Sequence, residues 1–164
     1  MKALVVYYSL SGTARTVAEA IAKELPADIE AIRCDRYRPG PASFMRAAFD
    51  SWAGRLPPIP LPMHTPSAYD LIVVGGPMWA FHAATPVRAY LQTYLRKDAT
   101  KLSRIAFFLT HGGSPADKAF REMEALAEEA PKATLAVRQV DVEAGSIKAA
   151  VASFAASLRK SKAA

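Results

Sequence analysis

Cysteine is nearly absent: among 164 residues there is one, Cys34. No internal disulfide can form, and a reducing compartment, the cytoplasm, is the expected location. No apolar run is long enough to cross a bilayer; the longest candidate, Leu71 to Ala84, is broken by Gly75-Gly76-Pro77. The opening run Leu4-Val5-Val6-Tyr7-Tyr8 is short and rich in strand formers, and no small-residue cleavage site follows it. It points to a strand, not an export signal. Acidic residues are the minority, 15 against 21 Lys and Arg, for a net charge of +6. An anionic partner fits that balance, yet the basic residues are scattered and no nucleic-acid recognition motif accompanies them. What is present is ordinary globular composition, 51% hydrophobic and 22% charged. A chain of this length suits one domain over 1–164 and hides roughly 70% of its extended-chain surface.

Apolar runs and helical stripes alternate along the chain. Leu4 to Tyr8 predicts a strand buried on both faces, and Val17, Ile21 and Leu25 form the stripe of a helix that Pro26 ends. Ile29 to Ile32 predicts a weaker, peripheral strand. Leu71 to Val74 is the strongest strand signal, followed by a helix with Thr85 as N-cap, Pro86 at its first position, and Val87, Tyr90, Leu91, Tyr94 and Leu95 on one face. Ile105 to Leu109 is the next strand; Ser114-Pro115-Ala116-Asp117 then opens a helix carrying Phe120, Met123 and Leu126. Ala133 to Val142 is the last strand, and Ser146 caps a helix built on Ile147, Ala150, Val151, Phe154 and Leu158, with a frayed tail from Arg159 to Ala164.

Five strand–helix repeats imply an α/β fold: a parallel sheet with helices on both faces, joined by right-handed crossovers. The irregular region runs from about 35 to 67. There Met45, Ala48, Phe49 and Trp52 share helical spacing, so an extra helix is expected from about Pro41 to Ala53, followed by a proline-rich surface connection from Leu56 to Pro66.

In such a sheet ligands bind beyond the carboxyl ends of the strands, where the strand order reverses. For the order 2-1-3-4-5 the reversal lies between strands 1 and 3, which singles out the loops after strands 1, 3 and 4. The first loop, Ser9-Leu10-Ser11-Gly12-Thr13-Ala14, combines hydroxyls, a glycine and a helix start, the ingredients of a phosphate cradle; it equally describes a Ser/Thr-rich cap. It lacks the spacing of a nucleoside-triphosphate loop. The second, Gly75-Gly76-Pro77-Met78-Trp79-Ala80-Phe81-His82, places bulky rings where a planar ligand could stack on Trp79 or Phe81; the alternative is that they seal the sheet end. The third, Thr110-His111-Gly112-Gly113, lets backbone pass close to a flat ligand, or simply turns into the next helix.

Tyr8-Ser9-Leu10-Ser11-Gly12-Thr13-Ala14 resembles the phosphate loop of flavodoxins. Val74-Gly75-Gly76-Pro77-Met78-Trp79-Ala80 resembles their second flavin loop, and Thr110-His111-Gly112-Gly113 is similar to their third. The resemblance spans essentially the whole chain. It implies a flavodoxin-like three-layer sandwich and bound flavin mononucleotide (FMN), with the phosphate at Ser9 to Ala14. The isoalloxazine ring would lie between Pro77–Phe81 and Thr110–Gly113.

Three departures from that family stand out. Ala14 replaces the hydroxyl residue that usually ends the phosphate loop, the chain is basic where electron carriers are acidic, and the third loop has no aromatic to cover the ring's outer face. The uncovered face leaves room for NAD(P)H or a quinone-like acceptor, so this departure favours an NAD(P)H-dependent reductase. A one-electron carrier docking on acidic redox proteins is the alternative, and an interaction domain without flavin a further one. The ring carries the redox chemistry, so no catalytic residue and no metal are assigned. A homodimer is compatible with the chain. A phosphorylation receiver lacks its acidic cluster here, having Tyr8-Ser9 and Gly75-Gly76 at those places. A low-molecular-weight tyrosine phosphatase would need Cys, five residues, then Arg, but Gly40 stands where that arginine would follow Cys34.

Overall fold

A continuous apolar run persists in a strand when both of its faces are covered. The strands β1 (Ala3–Tyr7), β3 (Leu71–Trp79) and β5 (Arg104–His111) meet that condition. Side chains alternate across the sheet: Leu4, Val6, Ile72, Val74, Phe107 and Leu109 enter one core layer with Val87, Leu91 and Met123. Val5, Leu71, Val73, Ala106 and Phe108 enter the other with Val17, Ile21, Val151 and Phe154. The computed structural model, which describes residues 1–96 and 104–160, is thus a three-layer α/β sandwich. Helices α1 (Thr13–Glu24) and α6 (Lys148–Lys160) cover one face, α3 (Thr85–Tyr94) and α4 (Asp117–Ala127) the other.

Strands β2 (Asp28–Ala31) and β6 (Thr134–Arg138) form the edges, and β6 accordingly alternates buried Leu135 and Val137 with exposed neighbours. The parallel order is β2-β1-β3-β5-β6, the expected 2-1-3-4-5. A two-residue strand, β4 (His82–Ala83), folds back antiparallel on the end of β3.

Several local expectations are corrected. β3 does not stop at Val74: Gly75, Gly76 and Pro77 stay in register with Phe108, Leu109 and Thr110 of β5. The glycines are packing residues of a strand and not flexible links; a Cβ on Gly75 would sit 2.2 Å from the Phe108 carbonyl oxygen. Thr85 lies inside α3, with Ala84 in the cap position, and its hydroxyl meets Tyr37 Oη at 2.7 Å. Ser114 and Pro115 precede α4, which starts after Ala116. The last strand ends at Arg138 because its partner β5 ends opposite, at His111; with nothing left to pair, Gln139–Glu143 closes into a short helix, α5. Ser146 donates to the Asp141 carbonyl at 3.2 Å, which ties it to the end of α5. Arg159 and Lys160 belong to α6; the rest of the expected frayed tail, 161–164, lies outside the described residues.

The extra helix, α2 (Pro41–Trp52), forms where expected, but its apolar stripe faces outward. Phe44, Met45, Phe49 and Trp52 are 60%, 77%, 50% and 73% exposed, whereas Asp50 and Ser51 are 1% exposed. Buried polar groups are tolerable when every one is bonded, and these are. Arg36 grips the Asp50 carboxylate through two nitrogens at 2.6 and 3.1 Å, and Tyr37 Oη donates to it at 2.9 Å. Ser51 Oγ donates to the Trp79 carbonyl at 2.7 Å, while Arg88 donates to the Ser51 carbonyl at 3.2 Å. The Arg36 guanidinium holds the Asp50 carboxyl below the usual carboxylate range.

Candidate functional site

The carboxyl ends of β1, β3 and β5 open on a cleft of about 230 Å3 at the point where the strand order reverses. Each expected loop supplies part of its wall: Ser9, Leu10, Ser11, Thr13 and Ala14 from the first, Pro77, Met78 and Trp79 from the second, Thr110, His111 and Gly112 from the third. Gly12, Ala80, Phe81 and Gly113 do not line it.

Gly12 shapes the first wall instead. Its φ of +97° carries the chain from β1 into α1, and its N–H donates to Ser9 Oγ at 3.0 Å. The first bond within α1 runs from Thr16 N–H to the Gly12 carbonyl, so among the described residues the N–H groups of Thr13, Ala14 and Arg15 have no acceptor. Ser11 Oγ and Thr13 Oγ1 stand beside them, 3.3 Å apart. The side chain of Arg15 is engaged elsewhere, with Glu19 at 2.7 Å.

The second wall is a hairpin. Trp79 pairs with His82 across a two-residue turn in which Ala80 and Phe81 both have positive φ, 49° and 68°, the pattern of a type I′ turn. That turn carries Phe81 out to 62% exposure and away from the cleft, so of the two rings expected to meet a planar ligand only Trp79 lines it. Trp79 is held edge-on by Tyr8, with ring centres 5.5 Å apart, and by Tyr37 at 5.0 Å. His82 is engaged outside the cleft, its Nδ1 3.2 Å from Glu122, which also meets Arg88 at 3.4 Å. In the third wall Thr110 is buried and His111 Nδ1 accepts the Gly113 N–H at 3.1 Å. Gly113 needs its glycine for a φ of +135°, whereas a Cβ on Gly112 would meet nothing within 4 Å.

Two lining residues escaped the sequence reading. Phe44 reaches the cleft from α2, and Gln139 from α5. Phe44 lies just off the stripe that revealed the helix, and Gln139 was assigned to a strand that ends one residue earlier.

The lining contains no carboxylate, Lys or Arg, and one imidazole, that of His111. Among the described residues no group of three His, Cys, Asp or Glu could hold a metal ion. Cys34 is half-buried, and that burial pushes its thiol up, away from nucleophilic use. The cleft therefore joins a polar end, with unpaired N–H groups and hydroxyls but no opposing negative charge, to an apolar end formed by Pro77, Met78, Trp79 and Phe44. A dianionic phosphate suits the first and a flat ring the second, so the residues present fit a flavin mononucleotide.

The flavodoxin family profile matches residues 2–153. Among solved structures, a flavoprotein from Lactobacillus acidophilus NCFM in complex with FMN is 26% identical, with a TM-score of 0.68 over 88% of this chain and 96% of that one. A flavodoxin from the domain Archaea is 17% identical, with a TM-score of 0.53 over 97% and 99%. A flavodoxin of Streptococcus pneumonia TIGR4 is 12% identical, with a TM-score of 0.57 over 98% and 99%; these two likenesses concern the fold. None of the curated proteins matches the chain.

Proposed function

The chain belongs to the flavodoxin family, and from that premise we propose that it is an FMN-binding redox protein acting as an NAD(P)H-dependent reductase of quinone-like acceptors. The observation that carries the cofactor is the pair of unpaired N–H groups of Thr13 and Ala14, set beside the Ser11 and Thr13 hydroxyls at the polar end of an uncharged cleft. These groups hold the phosphate, with Ser9 keeping the loop in shape through Gly12. Met78 and Trp79 would wall the ring on one side, and Thr110, His111 and Gly112 would face it from the other. The bound FMN supplies the electron or hydride transfer, and the protein supplies binding, orientation and exclusion of water. No side chain is required to move a proton.

The reductase role rests on the third wall. No aromatic stands between Thr110 and Ala119, and the space over Gly112 is open, so a second flat molecule has an approach to the ring. A ligand of about 31 non-hydrogen atoms at roughly 0.3 kcal/mol each gains on the order of 9 kcal/mol, a sub-micromolar dissociation constant.

Titration with FMN tests the cofactor: the emission of Trp79 should be quenched, and Ser11→Ala with Thr13→Ala should weaken binding by about tenfold or more. A colourless protein indifferent to excess FMN would leave the interaction-domain reading. Steady consumption of NADPH in the presence of a quinone separates the reductase from a one-electron carrier.

A further inference from the structure

The outward face of α2 is built to stay exposed. Asp50, Ser51 and Ala47 clamp the opposite side of the helix, through Arg36, Tyr37, the Trp79 carbonyl and Arg88. Rolling Met45, Phe49 and Trp52 inward would break every one of those bonds and leave a buried carboxylate unpaired. Large apolar side chains grouped on a fixed, exposed helix face mark a docking surface.

The charges around the face say what it docks on. Between Arg36 and Met63 the only acidic residue is Asp50, already buried against Arg36. Arg38, Arg46 and Arg55 are exposed and make no ion pair among the described residues. Arg55 lies over the Phe49 ring, 5.2 Å from its centre. Helical spacing puts Arg46 on the flank opposite Phe44. The face is therefore apolar at its centre and cationic at its rim. Two copies meeting through it would oppose arginine with arginine, which disfavours a second molecule of this chain. A protruding row of Trp, Phe and Met flanked by arginines instead matches a helix lying in the headgroup layer of a bilayer, where long cationic side chains reach phosphates as the rings sink in.

We propose that the α2 face is a peripheral docking surface for an anionic lipid bilayer. It requires no membrane-spanning segment, and none of the described helices is long and apolar enough to be one. Phe44, shared between this helix and the cleft, sets the mouth of the cleft beside the bound surface. The docking itself does not depend on the cofactor.

The test is sedimentation of the full chain with vesicles of phosphatidylcholine, and with vesicles of phosphatidylcholine and phosphatidylglycerol in equal parts. Partitioning should rise on the order of a hundredfold with the anionic lipid and fall in high salt. Met45→Ser with Trp52→Ser should reduce it tenfold or so, and so should Arg38→Gln with Arg46→Gln, each with the urea midpoint of the parent because these side chains are exposed. Binding to neither vesicle, or binding that both double variants retain, overturns the proposal. A doubled mass in light scattering that the Met45/Trp52 variant loses overturns it in favour of a second copy. Affinity for a [2Fe–2S] ferredoxin without affinity for vesicles overturns it in favour of an acidic protein. FMN binding is measured separately, so loss of the cofactor reading leaves this result standing.

Discussion

Ser51, on the inner face of α2, donates its hydroxyl to the carbonyl of Trp79 at 2.7 Å, in a site where Ser51 is 1% exposed. One hydrogen bond thus couples the extra helix to the strand end that walls the cleft. Ser51→Ala removes one donor from that carbonyl, which keeps its hairpin pairing with His82. A loss of about 1 kcal/mol in urea unfolding is expected, with a change in the emission of Trp79.

Asp50 makes stability pH-dependent. Its carboxyl titrates below the usual carboxylate range because Arg36 and Tyr37 bond to the charged form. Its contribution is therefore complete above the unfolded-chain value of about 3.9 and is lost as pH falls through the depressed folded-state value. Asp50→Asn should cost about 2 kcal/mol at neutral pH. The gap between parent and variant should stay constant down to about pH 5 and then close in more acid solution, as urea unfolding along a pH series would show.

Two glycines near the cleft should respond in opposite ways. Gly75→Ala drives a methyl to 2.2 Å from backbone of β5, and a loss of about 3 kcal/mol or more, or failure to fold, is expected. Gly112→Ala meets open space at ordinary φ and should change the unfolding midpoint by no more than about 0.5 kcal/mol equivalent.

Ala14 lines the cleft at the position next to the unpaired N–H groups. Ala14→Ser adds a hydroxyl there; FMN affinity should rise about fivefold, the worth of one such bond, read by fluorescence titration.

Tyr90 is 2% exposed, and its hydroxyl is the one buried side-chain group without a partner among the described residues. It faces a cavity of about 60 Å3 that Glu30 and Ile59 also line. Tyr90→Phe should raise stability by about 1 kcal/mol. A drop would instead place a bonded water in that cavity.

The sheet and its order were legible because runs such as Leu71 to Val74 leave few alternatives: a strand apolar on both sides must be central and covered twice. The loops of the cleft followed from the order. What local pattern could not supply was anything decided by a distant neighbour. Gly75 and Gly76 read as a loop because their strand role depends on Phe108, Val87 and Tyr8 across the core. Thr85 read as a cap because its partner, Tyr37, is far away in the chain. The α2 helix was legible from its spacing but the side it buries was not, because that is decided by Arg36, Tyr37 and Arg88, which satisfy its polar face.

The cleft draws its walls from Ser9 at one extreme and Gln139 at the other. During synthesis the loop at 9–14 emerges before the other walls and waits through more than a hundred further residues for the last of them. β1 cannot complete its pairing before β3 has emerged, nor β3 before β5. The nascent chain therefore passes through a long interval in which the most ligand-like segment is exposed without a site around it. A cleft with all of its walls therefore exists only after Gln139 has emerged, and a ligand held by every wall cannot template the pairing of β1 with β3.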